Sequence, residues 1–167
     1  MDDELQRLLD ERAIRRRLVD YCRGVDRGDA ALVASVYHPD GTDDHGSFRG
    51  LGTDFAEYVT GRLGARFDAT MHTISNEAVT FTGPDSALVE CHVCARQRRA
   101  DGDDVVLETF GGRYVDRFER RSGEWRIAHR TVVHEWDKVE RVELAFAPGR
   151  FTEGARGRSD PSYPPAG

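Results

Sequence analysis

The hydrophobic period of this chain changes once. Before residue 66 apolar side chains recur in steps of three and four, and after residue 69 they alternate. A helix gathers one face every 3.6 residues and a strand every second residue, so the change divides the fold into a helical part followed by a β part. The β part consists of four long runs, Ala69–Thr82, Ala87–Arg99, Val105–Arg120 and Trp125–Glu135. Gly83-Pro84-Asp85, Asp101-Gly102-Asp103 and Arg121-Ser122-Gly123-Glu124 separate them, and connections that short make hairpins. The expected fold is α+β: a cone of three N-terminal helices packed on one face of a strongly curved antiparallel sheet.

The helical part reads as follows. Residues 3–24 carry Leu5, Leu8, Leu9, Ile14, Leu18, Tyr21 and Cys22, continued by Val25, with Gly24 near the helix end. Asp29 reads as the N-cap of a second helix through Leu32, Val33, Val36 and Tyr37. Pro39-Asp40-Gly41 is a turn signal, Thr42 to Arg49 a short strand, and Gly50 to Gly52 its break. Thr53 opens a third helix carrying Phe55, Tyr58, Val59 and Leu63. Residues 1–147 are expected to form one domain. The remaining 148–167, rich in Gly, Pro, Arg and Ser, has too little apolar content to fold alone.

Composition narrows the function. The 167 residues bear a net charge of −6, and their basic runs are interleaved with acids, which argues against a nucleic-acid footprint. No stretch approaches 18 consecutive apolar residues and the N-terminus is acidic, so a cytoplasmic protein without membrane contact is expected. Three cysteines make no paired framework, and Cys91 and Cys94, three apart on a strand, point to opposite faces.

The segment Tyr21 to Gly46 concentrates polar side chains: Tyr21, Asp26, Tyr37, His38, Asp43, Asp44 and His45. On the first long strand His72, Ile74 and Asn76 share one face, and on the second Glu90, His92, Cys94 and Arg96 share one. Alternation alone leaves open which face looks inward, because a bulge reverses the assignment partway along a strand. A metal at Asp43-Asp44-His45 is disfavoured, since adjacent aspartates on a strand diverge.

The segments YCRGVD, YHPDGTDDHG, MHTISN, GGRYVDRFERRSGEWRIAHR and FAPG resemble the SnoaL-like branch of the nuclear transport factor 2-like superfamily, over roughly residues 5–150. Its nearest parallels are the scytalone dehydratase, bile acid dehydratase and hexachlorocyclohexane dehydrochlorinase families. The last is similar in its GVD, in a histidine about 46 residues later, in a GG-x-Y strand and in a G-x-W turn. The resemblance implies a catalytic dyad of Asp26 and His72, a catalytic tyrosine at Tyr21 and a functional arginine at Arg130. It also implies a homo-oligomer, a trimer with a dimer as alternative, which suits strands apolar on both faces.

The chemistry of that set follows from the residue types. Asp26 ends the apolar stripe of the first helix, so it points toward the sheet, where a desolvated carboxylate needs a partner such as His72. A neutral histidine is a suitable base near neutral pH, and a carboxylate behind it fixes its tautomer. Tyr21 is placed to donate a proton to a leaving hydroxyl or an enolate oxygen, and Arg130 to hold a carboxylate or carbonyl. His92, His45, Tyr37 and Asn76 complete the candidate substrate-binding set. No cofactor is expected, since no glycine-rich phosphate loop occurs and Gly111-Gly112 lies inside a strand. The expectation is a cofactor-independent, dehydratase-like lyase or an isomerase acting on a cyclic small molecule. The alternatives are a noncatalytic binding or accessory domain, and the small subunit of a ring-hydroxylating dioxygenase.

Overall fold

The computed structural model describes residues 3–147 and 149–164, so residues 1–2, 148 and 165–167, with part of the FAPG segment and of the tail, lie outside the described set. The elements run α1 Asp3–Arg27, α2 Ala30–Ser35, β1 Tyr37–Asp44, β2 Arg49–Leu51, α3 Gly52–Arg66, β3 Ala69–Gly83, β4 Ser86–Asp101, β5 Asp104–Arg121 and β6 Glu124–Val142, with a 3₁₀ turn at Gly157–Ser159.

The buried face of α1 is Asp10, Ile14, Leu18, Tyr21 and Val25, in steps of four and three. The expected stripe began earlier, but Leu5, Leu8 and Leu9 are exposed. The residue that turns inward in that stretch is Asp10, whose carboxylate accepts the Trp125 indole N–H at 2.8 Å and the Arg120 guanidinium at 3.0 Å. Gly28, at φ +66°, supplies the left-handed residue that ends α1, and the Asp29 N–H bonds back to the Gly24 carbonyl at 2.8 Å. Asp29 then caps α2 through Leu32 N–H at 3.0 Å.

Six strands form one curved sheet in the order β2-β1-β6-β5-β4-β3. The meander from β3 to β6 is antiparallel throughout, and β1 joins β6 in parallel. That single parallel pairing arises because α3 and the whole meander separate β1 from β6, a connection long enough to return the chain in the same direction. Pro39-Asp40-Gly41, a turn signal in sequence, lies inside β1, where the register with β6 shifts between Tyr37 and Thr42. A proline lacking its N–H is tolerated at such an irregularity.

Further register shifts lie at Ser75/Ala78 in β3–β4 and at Gly111/Gly112 and Arg117/Phe118 in β5–β6. Each bends its strand and increases the coil of the sheet, so that its concave side wraps the helices. The core joins Ile14, Leu18, Tyr21 and Val25 of α1, Val33 of α2 and Phe55 of α3 to Val89, Cys91, Tyr114, Phe118 and Ile127 of the sheet. At the start of α3 the Tyr37 ring lies against Gly52, where an added Cβ would come within 2.2 Å of it. Only glycine admits that approach.

Residues 154–163 fold back onto the end of α1 and the Asp29 cap of α2. Asp160 accepts the Arg27 guanidinium at 2.8 Å, and the Tyr163 hydroxyl donates to Asp29 at 2.8 Å. Among the described residues no helix is long and apolar enough to cross a membrane.

Candidate active site

The last turn of α1 brings Asp26 to the inner face of β3, where His72 stands opposite Ala95 of β4. The carboxylate accepts twice from the same residue: the His72 backbone N–H lies 2.9 Å from Oδ2 and its Nδ1 2.7 Å from Oδ1. Both side chains are nearly removed from solvent, at 7% exposed for His72 and 10% for Asp26. An ionised carboxylate can only accept, so the Nδ1 proton points at Asp26 and the Nε2 lone pair remains for the cavity that His72 lines.

That cavity holds about 290 Å³ between α1, α3 and the concave face of the sheet. Its walls are mostly apolar and largely aromatic, with Phe55, Tyr58, Val59 and Leu63 from α3, Ala95 from β4, Phe110 and Tyr114 from β5, and Val132 from β6, while Ser47, Arg62 and Gln97 also line it. Tyr21, His45 and His72 are further polar groups set into it. A small pocket of this kind holds a ring-sized ligand by burial and orients it by a few polar contacts. Burial pushes the Tyr21 phenol well above its ordinary range, with Arg130 opposing, so Tyr21 is a neutral hydroxyl at neutral pH. Burial also pushes the Cys22 and Cys91 thiols up to about 12, which removes both as nucleophiles near pH 7.

Arg130, expected to touch substrate, stands behind the cavity wall and not in it. Its guanidinium is fully buried, donates to both Asp116 oxygens at 2.7 and 2.6 Å, and lies 4.2 and 4.0 Å from the Tyr21 and Tyr114 ring centres. The expectation missed this because Asp116 and Arg130 are directly opposite on β5 and β6, so the arginine meets its carboxylate across the ladder before it meets a ligand. It packs against the rings of two tyrosines that line the cavity.

His92 and Asn76, also expected in the binding set, lie exposed on the outer face, 3.3 Å apart. On β4 the inward residues are Val89, Cys91, Val93 and Ala95, which turns His92 out. On β3 the bulge at Asn76, whose φ is 55°, ends the shared face of His72 and Ile74. Tyr37 is buried, and its hydroxyl donates to Asp43 at 2.5 Å. His45 reaches the cavity with Nδ1 on Asp43 at 2.5 Å and Nε2 3.4 Å from the Tyr21 hydroxyl. Asp44 diverges from Asp43 to take Arg49 and the Gly46 N–H. Asp43, Tyr114 and the Phe55–Tyr58 aromatic wall were absent from the expected set. Asp43 had a readable signal, for residues two apart in extended chain share a side and Asp43 stands two before His45.

No curated protein matches the chain. Among solved structures it is similar to a scytalone-dehydratase-like protein from Novosphingobium aromaticivorans DSM 12444, with 24% identity, a TM-score of 0.70, and coverage of 87% of this chain and 97% of that one. It is similar to a hexachlorocyclohexane dehydrochlorinase, LinA type 2, with 22% identity, a TM-score of 0.76, and coverage of 89% and 100%. A third, assigned as the beta subunit of an aromatic-ring-hydroxylating dioxygenase of the same Novosphingobium strain, has 19% identity, a TM-score of 0.63, and coverage of 77% and 91%. At these identities the likeness establishes the cone-shaped α+β fold and carries no activity with it. The family model of the SnoaL-like domain matches residues 6–131, three-quarters of the chain, and with the fold above it makes this protein a member of the SnoaL-like family in the nuclear transport factor 2-like superfamily.

Proposed function

We propose that the protein is a cofactor-independent lyase of the dehydratase type, or an isomerase using the same proton abstraction, acting on a small cyclic molecule. The observation that carries this reading is the His72 imidazole, held through Nδ1 by Asp26 at 2.7 Å and lining an aromatic cavity. In elimination, His72 Nε2 takes a proton from the carbon next to the leaving group. The C–H electrons become the new π bond, and the C–O bond breaks with its electrons on oxygen. That oxygen needs a proton, and the neutral Tyr21 hydroxyl is a donor in the same cavity. Asp26 stabilises the imidazolium as it forms and holds its tautomer. The desolvated setting strengthens each of these charge interactions relative to water.

The test is incubation with a panel of cyclic alcohols that carry an acidic C–H beside the hydroxyl, following loss of water by mass and gain of a conjugated absorbance. Conversion that Asp26→Asn abolishes supports the reading. Ligands that bind the cavity and leave unchanged would move the assignment to a noncatalytic binding domain.

A second reading, the small subunit of a ring-hydroxylating dioxygenase, is favoured by the likeness to a beta subunit and predicts a partner chain that carries iron. We propose self-association instead. Met71, Leu88, Trp136 and Val139 stand at least half exposed on the sheet, and Val105, Leu107 and Val115 are only partly covered. A homotrimer is the expected assembly, with a dimer as alternative. A monomeric mass at micromolar concentration refutes both.

A further inference from the structure

A second imidazole backed by a carboxylate lines the cavity, delivered by a different part of the chain from the first. Asp43 closes the inner side of β1, and its side chain has no exposed surface. A buried carboxylate is costly unless its oxygens are occupied, and here both are. One takes the Tyr37 hydroxyl at 2.5 Å and the other takes His45 Nδ1 at 2.5 Å. The His45 proton is therefore committed to Nδ1. Its ring is fixed by stacking on Phe55, with centres 4.2 Å apart and planes 22° from parallel. Nε2 is left toward the cavity, where its protein neighbour is the Tyr21 hydroxyl at 3.4 Å.

A satisfied core histidine would show neither feature of this one. The 3.4 Å contact is longer than a good hydrogen bond between such groups, and the side chain keeps 22% exposure. The Nε2 edge is under-used while every other polar atom of the unit is paired. A ligand oxygen placed between Tyr21 and His45 would satisfy both.

We infer that His45, held by Asp43 and Tyr37, is the oxygen-recognising residue of this site, accepting at Nε2 from the ligand hydroxyl to which Tyr21 donates. The ligand class it selects is a ring bearing a hydroxyl, phenolic or enolic oxygen, with the ring against Phe55 and Tyr114 and the oxygen at His45 Nε2 and Tyr21. Its part in elimination rests on the lyase reading above, whereas its recognition of a ring oxygen does not. In elimination Tyr21 gives its proton to the departing oxygen that His45 holds, as His72 takes the carbon-bound proton, and water leaves. His72 then holds an extra proton and Tyr21 lacks one, and return of one proton through solvent restores both. Asp43 fixes the His45 tautomer, as Asp26 fixes that of His72.

The experiment uses 4-nitrophenol as the oxygen-bearing ring and nitrobenzene as the same ring without the hydroxyl, with affinities taken from absorbance and tryptophan quenching titrations. For His45→Gln the expected result is a loss of about tenfold for 4-nitrophenol, the worth of one hydrogen bond in a desolvated site, with nitrobenzene unchanged. Asp43→Asn should show the same selective loss. If that variant fails to fold, nitrogen-15 histidine spectra of the unaltered protein replace it, and 4-nitrophenol should displace the His45 Nε2 resonance. Equal loss for both probes overturns the assignment, as does an unchanged affinity for 4-nitrophenol, an unmoved resonance, or no binding of 4-nitrophenol at all. Oxygen-selective binding without turnover of any cyclic alcohol refutes the lyase reading and supports this contact. Turnover without oxygen-selective binding refutes this contact alone.

Discussion

Replacing Asp26 with Asn tests the proposed base most directly, because the carboxylate has two distinct duties. It accepts the His72 backbone N–H at 2.9 Å and the imidazole Nδ1–H at 2.7 Å. An amide has one acceptor oxygen and one donor nitrogen, so it can meet only one of those duties. With the oxygen on the ring, the NH2 opposes a backbone N–H. With the oxygen on the backbone, the NH2 donates to Nδ1 and drives the proton to Nε2, where the cavity-facing nitrogen is no longer basic. In serine-protease triads the matching exchange lowers kcat about 10⁴-fold through the wrong tautomer. Both side chains here are at most 10% exposed, so solvent relieves little of the conflict. The expected loss is about 10²- to 10⁴-fold, or about 3 to 5 kcal/mol in the barrier. The mispaired buried donor costs about 1–3 kcal/mol of stability, which a domain of typical stability survives folded. Initial rates of water loss from the best substrate of the cyclic alcohol panel give the first number, and urea unfolding gives the second. Nitrogen-15 spectra report the His72 tautomer independently of turnover. A folded variant that keeps its rate to within about threefold, less than 1 kcal/mol in the barrier, refutes the role of Asp26.

Three further outcomes follow from other contacts. Asp116→Ala strands the fully buried Arg130 guanidinium, so urea unfolding should show a loss of about 3–5 kcal/mol, while replacing both residues by apolar ones of similar volume should cost much less. Asp160, held well below the ordinary carboxylate range by the Ser162 hydroxyl, by the Ala155 and Ser162 N–H groups and by Arg27, is depressed on folding. Its contribution is therefore complete above the unfolded carboxyl pKa and lost only as pH falls through the lower folded value. The tail should thus stay docked from neutral pH through pH 4, and Asp160→Asn should release it at neutral pH, read as faster tryptic cleavage after Arg156 and Arg158. Cys22 and Cys91, with thiols pushed up to about 12 by burial, should resist iodoacetamide at neutral pH in the folded protein, and the half-buried Cys94 should react first. Rapid labelling of Cys22 without unfolding counts against that core.

The order of elements and the class of fold were legible in the sequence because both rest on local physics. The change from a 3.6 to a 2.0 period sorts helices from strands, and turn residues such as Gly83-Pro84-Asp85 place the hairpins without reference to the rest of the chain. The meeting of Asp26 with His72 was legible through the family resemblance, which pointed to His72, together with a physical reason. A carboxylate at the end of an apolar stripe must find a donor on the surface that the stripe packs against. Tertiary structure decided what depends on counting residues across a bulge or on a partner far along the chain. One extra residue at Asn76 turned it outward, and the phase of β4 put His92 on the outer face, since the side-chain period of a strand is two and either parity looks alike in sequence. Arg130 became a buried ion pair because Asp116, fourteen residues earlier, stands opposite it on the ladder. The parallel seating of β1 against β6 placed Asp43 behind His45, and His45 at the cavity that His72 enters from β3. Two carboxylate-backed imidazoles on one cavity are a product of that long-range pairing, and no local pattern in the chain specifies it.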